Sequence, residues 1–193
     1  LQGPARVVND FKYCPVALYR QLCCVDVRAA CLVELKKSSE LFAFAHSLVD
    51  AYPNAWTSWY AVGCYYYLIG KSELARRYLS KAKSLEPSAG CVWLAYGHSF
   101  AADNEHDQAM AAYFKASQLM GGCHLPPLYV GVECSLLNNF TMCERFLTRA
   151  AALHNFAKAK VNLITIRQRR LRQKISSPPL ISRMLTNQNR TRK

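Results

Sequence analysis

A step of 34 residues constrains this chain more than any other feature of its sequence. Trp59 and Trp93 are one step apart, and Gly63, Gly97 and Gly131 follow the same step. So do Ala75, Ala109 and Cys143, then Leu79, Tyr113 and Leu147, then Ala82, Ala116 and Ala150, and finally Leu85, Leu119 and Leu153. Three copies therefore lie in one register without a gap, over 56–89, 90–123 and 124–157. A unit of this length is one supersecondary element that cannot bury its apolar face alone, so successive copies must stack. The periodicity inside each copy is helical, which predicts an all-α array of antiparallel helix pairs.

Each recurring residue has a physical reason. Gly inside a helix costs about 1 kcal/mol relative to Ala, so three in register imply two helices in close approach rather than drift. Gly70, Asn104 and Asn138 fall midway through each copy and mark the turn, because Gly and Asn best tolerate a left-handed backbone. The helix pairs are thus expected at 56–69 with 72–85, 90–103 with 106–119, and 125–137 with 140–153. The first copy carries Trp59, Val62, Gly63, Tyr66, Ala75, Leu79, Ala82 and Pro87, a pattern similar to the tetratricopeptide repeat. The second has Gly121 in place of the Pro, and the third has Pro127 in place of the Trp and Cys143 in place of the small Ala. A degenerate copy over 26–55 precedes them. Pro53 stands 34 residues before Pro87, and Leu35, Leu41, Phe42, Ala45, Leu48 and Val49 have helical spacing, which predicts helices over 26–36 and 38–51. Residues 1–25 fit no pattern.

The ends differ from this middle. Residues 154–193 hold eleven Lys or Arg and no acid, leaving fourteen basic against twelve acidic residues before them. The net charge of +13 therefore belongs to a tail. Val161, Ile164, Leu171 and Ile175 predict a basic amphipathic helix over 158–175, and Pro178-Pro179 with the polar end predicts disorder over 176–193. No apolar run is long enough to span a bilayer, and the N-terminus shows no secretory signal. The absence of a starting Met points to a fragment. The nine cysteines include no C-x-x-C pair, so reduced, packed thiols are expected rather than disulfides or zinc. On that reading the sequons at Asn139 and Asn189 are chance matches.

Catalytic chemistry needs converging groups, and none stands out. No H-x-x-x-H, G-x-S-x-G or phosphate-binding Gly loop occurs, so no enzyme, metal or cofactor is expected. Cys64 and His98 occupy equivalent positions of neighbouring repeats, with a groove lining preferred over a nucleophile pair. The run Arg167 to Lys174 reads as a solvated cationic tail or an import-type patch. Its lack of interleaved aromatics argues against nucleic-acid binding.

Longer stretches carry a more specific resemblance. W-Y-A-V-G-C-Y-Y-Y-L (59–68), A-R-R-Y-L-S-K-A (75–82), A-Y-G-H-S-F-A (95–101) and E-H-D-Q-A-M-A-A-Y-F (105–114) resemble the cell-division-cycle-sixteen type of anaphase-promoting complex subunit, the sixth subunit. The likeness covers about residues 31–151 and ends abruptly on both sides, as in a partial or diverged copy. It implies a non-catalytic scaffold in a ubiquitin ligase of mitosis, in the cytoplasm and nucleus. It also implies other subunits as partners, including a small subunit held in a groove and a homodimer partner. In repeats of this type the first helices line the concave face, which here assigns Tyr60, Cys64, Tyr67, Leu94, His98, Ala101, Leu128, Val132 and Ser135 to a groove. The same residues could instead be covered by neighbouring repeats. A truncated fragment, or a free peptide-binding module without ligase role, is the alternative reading.

Overall fold

The computed structural model describes residues 24–153 together with Ile164, Thr165 and Gln168. The predicted disordered tail lies outside the described residues, as do nearly all of the N-terminal segment and of the basic helix. Among the described residues there are eight helices and no strand. They are α1 (Val25–Glu34), α2 (Ser38–Ala51), α3 (Trp56–Leu68), α4 (Ser72–Leu85), α5 (Gly90–Ala102), α6 (His106–Leu119), α7 (Leu125–Leu136) and α8 (Phe140–Leu153). The helices of the three repeats begin at the 34-residue step, except that α7 starts one residue late at Leu125. The chain divides into two compact units at Gly121–Gly122, with α1–α6 in the first and α7–α8 in the second.

The turns within the pairs share one geometry. Gly70 (φ 76°), Asn104 (φ 61°) and Asn138 (φ 59°) are left-handed. Lys36, exactly one step before Gly70, is left-handed as well, with φ 54°. At each, two backbone bonds close the helix end. The Gly70 N–H donates to the Tyr67 carbonyl at 3.0 Å, and the Lys71 N–H to the Tyr66 carbonyl at 2.9 Å. Asn104–Glu105, Asn138–Asn139 and Lys36–Lys37 repeat this Schellman pair. The degenerate repeat thus keeps the turn although Lys replaces Gly or Asn, a substitution that costs about 1–2 kcal/mol in a left-handed conformation.

Within each pair, the glycine of the first helix receives a large side chain of the second. A Cβ added at Gly63 would lie 2.5 Å from Leu79 Cγ, and one at Gly131 2.7 Å from Leu147 Cγ. At Gly97 it would fall on the Tyr113 ring. Leu79, Tyr113 and Leu147 are all essentially fully buried. The small residues of the second helices, Ala75, Ala109 and Cys143, are fully buried too. Cys143 fits the position because its thiol is small and donates to the Gly131 carbonyl at 2.9 Å.

Polar ties join successive elements. The Trp59 indole N–H donates to the Pro53 carbonyl at 2.8 Å, and that of Trp93 to the Pro87 carbonyl at 2.9 Å. The recurrent Trp and Pro are therefore one device, which pins the loop entering each first helix. Arg76 on α4 reaches α5, donating to the Ser99 carbonyl at 3.2 Å and to the Asp103 carboxylate. It also lies 3.7 Å from Glu105 and 5.1 Å from the centre of the Phe100 ring. This guanidinium holds the Asp103 carboxyl below its usual range.

The glycine contacts make a direct prediction. Gly97→Leu should lower the unfolding free energy in urea by about 1–3 kcal/mol, because the added side chain overpacks against Tyr113. Gly121→Ala should change it by less than about 0.5 kcal/mol, since no atom lies within 4 Å of a Cβ there. Equal denaturation midpoints for the two variants would refute this account of the helix crossing.

Candidate functional site: the face of the first helices

The groove residues sit on the first helices, at intervals of three and four positions that place them along one side. In the first unit α3 contributes Tyr60, Cys64 and Tyr67, and α5 contributes Leu94, His98 and Ala101. In the second unit α7 contributes Leu128, Val132 and Ser135. Tyr67, Leu94, His98, Ala101, Val132 and Ser135 are half-buried.

Tyr60, Cys64 and Leu128 depart from the expected open groove. They are only 4%, 5% and 4% exposed. Tyr60 and Cys64 belong to a core cluster that contains Ala29 and Leu32 of α1 and Val92 of α5. The degenerate repeat explains this, because α1 packs against α3 and closes that part of the face. α7 is buried nearly all round, with Pro126, Pro127, Leu128, Val130, Gly131, Glu133 and Cys134 all inaccessible, so Leu128 is covered too. Thr57, one turn before Tyr60, is a further member that the sequence pattern did not single out. Its hydroxyl is buried and has no hydrogen-bond partner among the described residues.

The titratable groups of this face are held neutral. Burial pushes the Cys64 thiol up to about 12, and burial likewise raises the Tyr60 hydroxyl. Cys91, in the next repeat, is also pushed up to about 12, mainly by burial. Burial lowers His98 to about 4. A reactive thiolate beside an imidazolium needs the opposite shifts, so Cys64 and His98 are not poised as a nucleophile pair. What the structure does bring together is aromatic. The His98 ring centre lies 6.1 Å from that of Tyr67 and 5.3 Å from that of Tyr113, and His98 Nδ1 is 2.7 Å from the Tyr113 hydroxyl. This links α3, α5 and α6 behind the face. Among the described residues no group of three or more His, Cys, Asp or Glu could hold a metal ion. No described helix is long and apolar enough to cross a membrane.

Stacked helix pairs with left-handed turns, glycine–large-residue crossings and a half-buried inner face define an all-α tetratricopeptide-repeat protein. No protein-family model matches the chain. It is 58% identical over 131 residues to the human "Cell division cycle protein 16 homolog", covering 67% of this chain and 21% of that protein. It is 46% identical over 130 residues to "Anaphase-promoting complex subunit 6" of Arabidopsis thaliana, covering 67% of this chain and 24% of that one. Among solved structures it is similar to the "APC/C hetero-tetramer Cut9-Hcn1", with a TM-score of 0.71 and 33% identity, covering 75% of this chain and 28% of that one. Over the matched residues the chain belongs to this family of anaphase-promoting complex subunits. It spans about a fifth of the length of the curated relatives it matches.

The state of His98 sets a pH dependence. Its folded value, about 4, lies below the ordinary 6.5, so the unfolded chain binds the extra proton more readily. The stability from a neutral His98 is complete above about pH 6.5 and is lost as pH falls toward about 4. Urea midpoints of the parent chain should therefore drop between neutral and mildly acidic pH, and those of His98→Gln should drop less. Parallel pH profiles for the two would contradict a buried, neutral imidazole.

Proposed function

We propose that this chain is a non-catalytic interaction scaffold of the anaphase-promoting complex, acting in mitotic progression. The observation that carries the reading is its 58% identity to the human relative over 131 residues, a likeness that extends beyond packing positions. Packing alone recurs in any tetratricopeptide repeat. The protonated thiols Cys64 and Cys91 support a holding role, since neither is a ready nucleophile at neutral pH.

Other subunits of the complex are the proposed partners. The solved relative is described as a hetero-tetramer with Hcn1, which supports a small subunit and a second copy as candidates. The proposed contact residues are Tyr67, Leu94, His98 and Ala101 in the first unit and Val132 in the second, with Tyr60, Cys64 and Leu128 as buried supports beneath them. The proposed location is cytoplasmic and nuclear. The half-buried, uncharged residues of the first helices suit a second reading, a truncated repeat fragment or free peptide-binding module without a ligase role.

Affinity purification of the tagged chain from dividing cells, with mass spectrometry of what co-purifies, separates the two. Recovery of ligase subunits at levels well above those of a Gly97→Leu control is the expected result. Recovery no higher than from that misfolding control would favour the fragment reading and count against assembly.

A further inference from the structure

α4 holds cations beyond the two that packing on α5 uses, since Arg76 is clasped by α5 and Lys83 lies 4.9 and 4.5 Å from the centres of the Trp93 and Tyr96 rings. Its residues include Arg76, Arg77, Lys81 and Lys83 against one carboxylate, Glu73. The equivalent helix of the next repeat, α6, balances Lys115 with Asp107, and α2 has Glu40 and Asp50 with no Lys or Arg. Arg76 is occupied by Asp103, Glu105 and the Ser99 carbonyl. Arg77 and Lys81, one helical turn apart, are exposed, and neither forms an ion pair among the described residues.

Lys81 is also held in place. Its ammonium lies 3.3 Å from the centre of the Trp59 ring. Trp59 is itself fixed by its bond to the Pro53 carbonyl and by stacking on Tyr78, with centres 5.9 Å apart and planes 4° apart. Immobilising a long, flexible side chain normally opposes binding, and a pre-placed ammonium avoids much of that cost. Beside it Arg77 offers a planar fork suited to carboxylate or phosphate.

We propose that the face of α4 around Arg77, Lys81 and Trp59 docks an acidic peptide segment of another protein. Charge complementarity selects the occupant, because two unpaired cations one turn apart match carboxylates on an extended or helical strand. A single-stranded nucleic acid would need ring faces on which bases could stack. Trp59 is already engaged by Lys81 and Tyr78, and Tyr66 stacks on Tyr78 at 5.1 Å. The proposal stands on side chains of α3 and α4 and does not depend on ligase membership.

The test is fluorescence anisotropy on the full chain with a labelled, Glu- and Asp-rich peptide, at low and at physiological salt. Arg77→Glu with Lys81→Glu should weaken binding at least about tenfold, equivalent to about 1.4 kcal/mol. Neutralising the tail by Arg167→Gln, Arg169→Gln and Arg170→Gln should leave it within about twofold. Thermal melts check the fold of each variant, and Arg77→Gln with Lys81→Gln replaces the reversal if that variant melts early. Unchanged affinity in the α4 variant, or loss only in the tail variant, overturns the proposal. So does a single-stranded oligonucleotide that binds more tightly than the peptide through the same residues.

Discussion

The close crossing of the two helices in each repeat is the constraint on which the rest of this structure depends. A helix with a side chain at Gly63, Gly97 or Gly131 could not lie where it does, because Leu79, Tyr113 and Leu147 fill that space. The interaction is a shape match between an absent side chain and a large one, and dispersion between close-packed atoms rewards it. The degenerate repeat does not carry this match. It has Ala29 where the others have Gly, and Ala45 where they have Leu or Tyr, and the two buried alanines belong to separate core clusters.

Once the crossing is fixed, the turns and loops have little freedom left. Three residues must reverse the chain between helices, and a left-handed residue at Lys36, Gly70, Asn104 and Asn138 does so while satisfying the last carbonyls. The loop between repeats is held by Trp59 on the Pro53 carbonyl and Trp93 on the Pro87 carbonyl. The third repeat lacks that tie, with Gly121 and Pro127 at the two positions. The division between the compact units falls at the same place.

Function follows from what this packing leaves available. Burial keeps Cys64 and Cys91 as thiols and His98 as a neutral imidazole, so the inner face offers shape and aromatic contact rather than reactivity. Charge is placed elsewhere. Arg76 is spent between α4 and α5, while Arg77 and Lys81 face outward. A protein that presents neutral groups inward and unpaired cations outward is suited to holding other chains by two different surfaces.

The sequence by itself determined the helix pairs, their ends and their turns, because contacts between equivalent positions recur at a fixed separation and leave a period that can be read. Gly63, Gly97 and Gly131, with Gly70, Asn104 and Asn138, were legible for that reason. The turn at Lys36 was less so, since its residue type does not announce a left-handed backbone, although its register does. Only the tertiary structure decided which residues of the inner face stay open. Tyr60 and Cys64 have the same spacing as Tyr67, yet α1 covers the first two. Periodicity shows which side of a helix a residue occupies, but not whether a neighbouring element lies over it. The clasp of Arg76 on Asp103 and the seat of Lys81 on Trp59 were hidden for the same physical reason. Arg76 and Asp103 have no counterparts one step on, where Met110 and Leu137 stand, and although Lys115 and Trp93 repeat the spacing of Lys81 and Trp59, it is Lys83 that lies over Trp93.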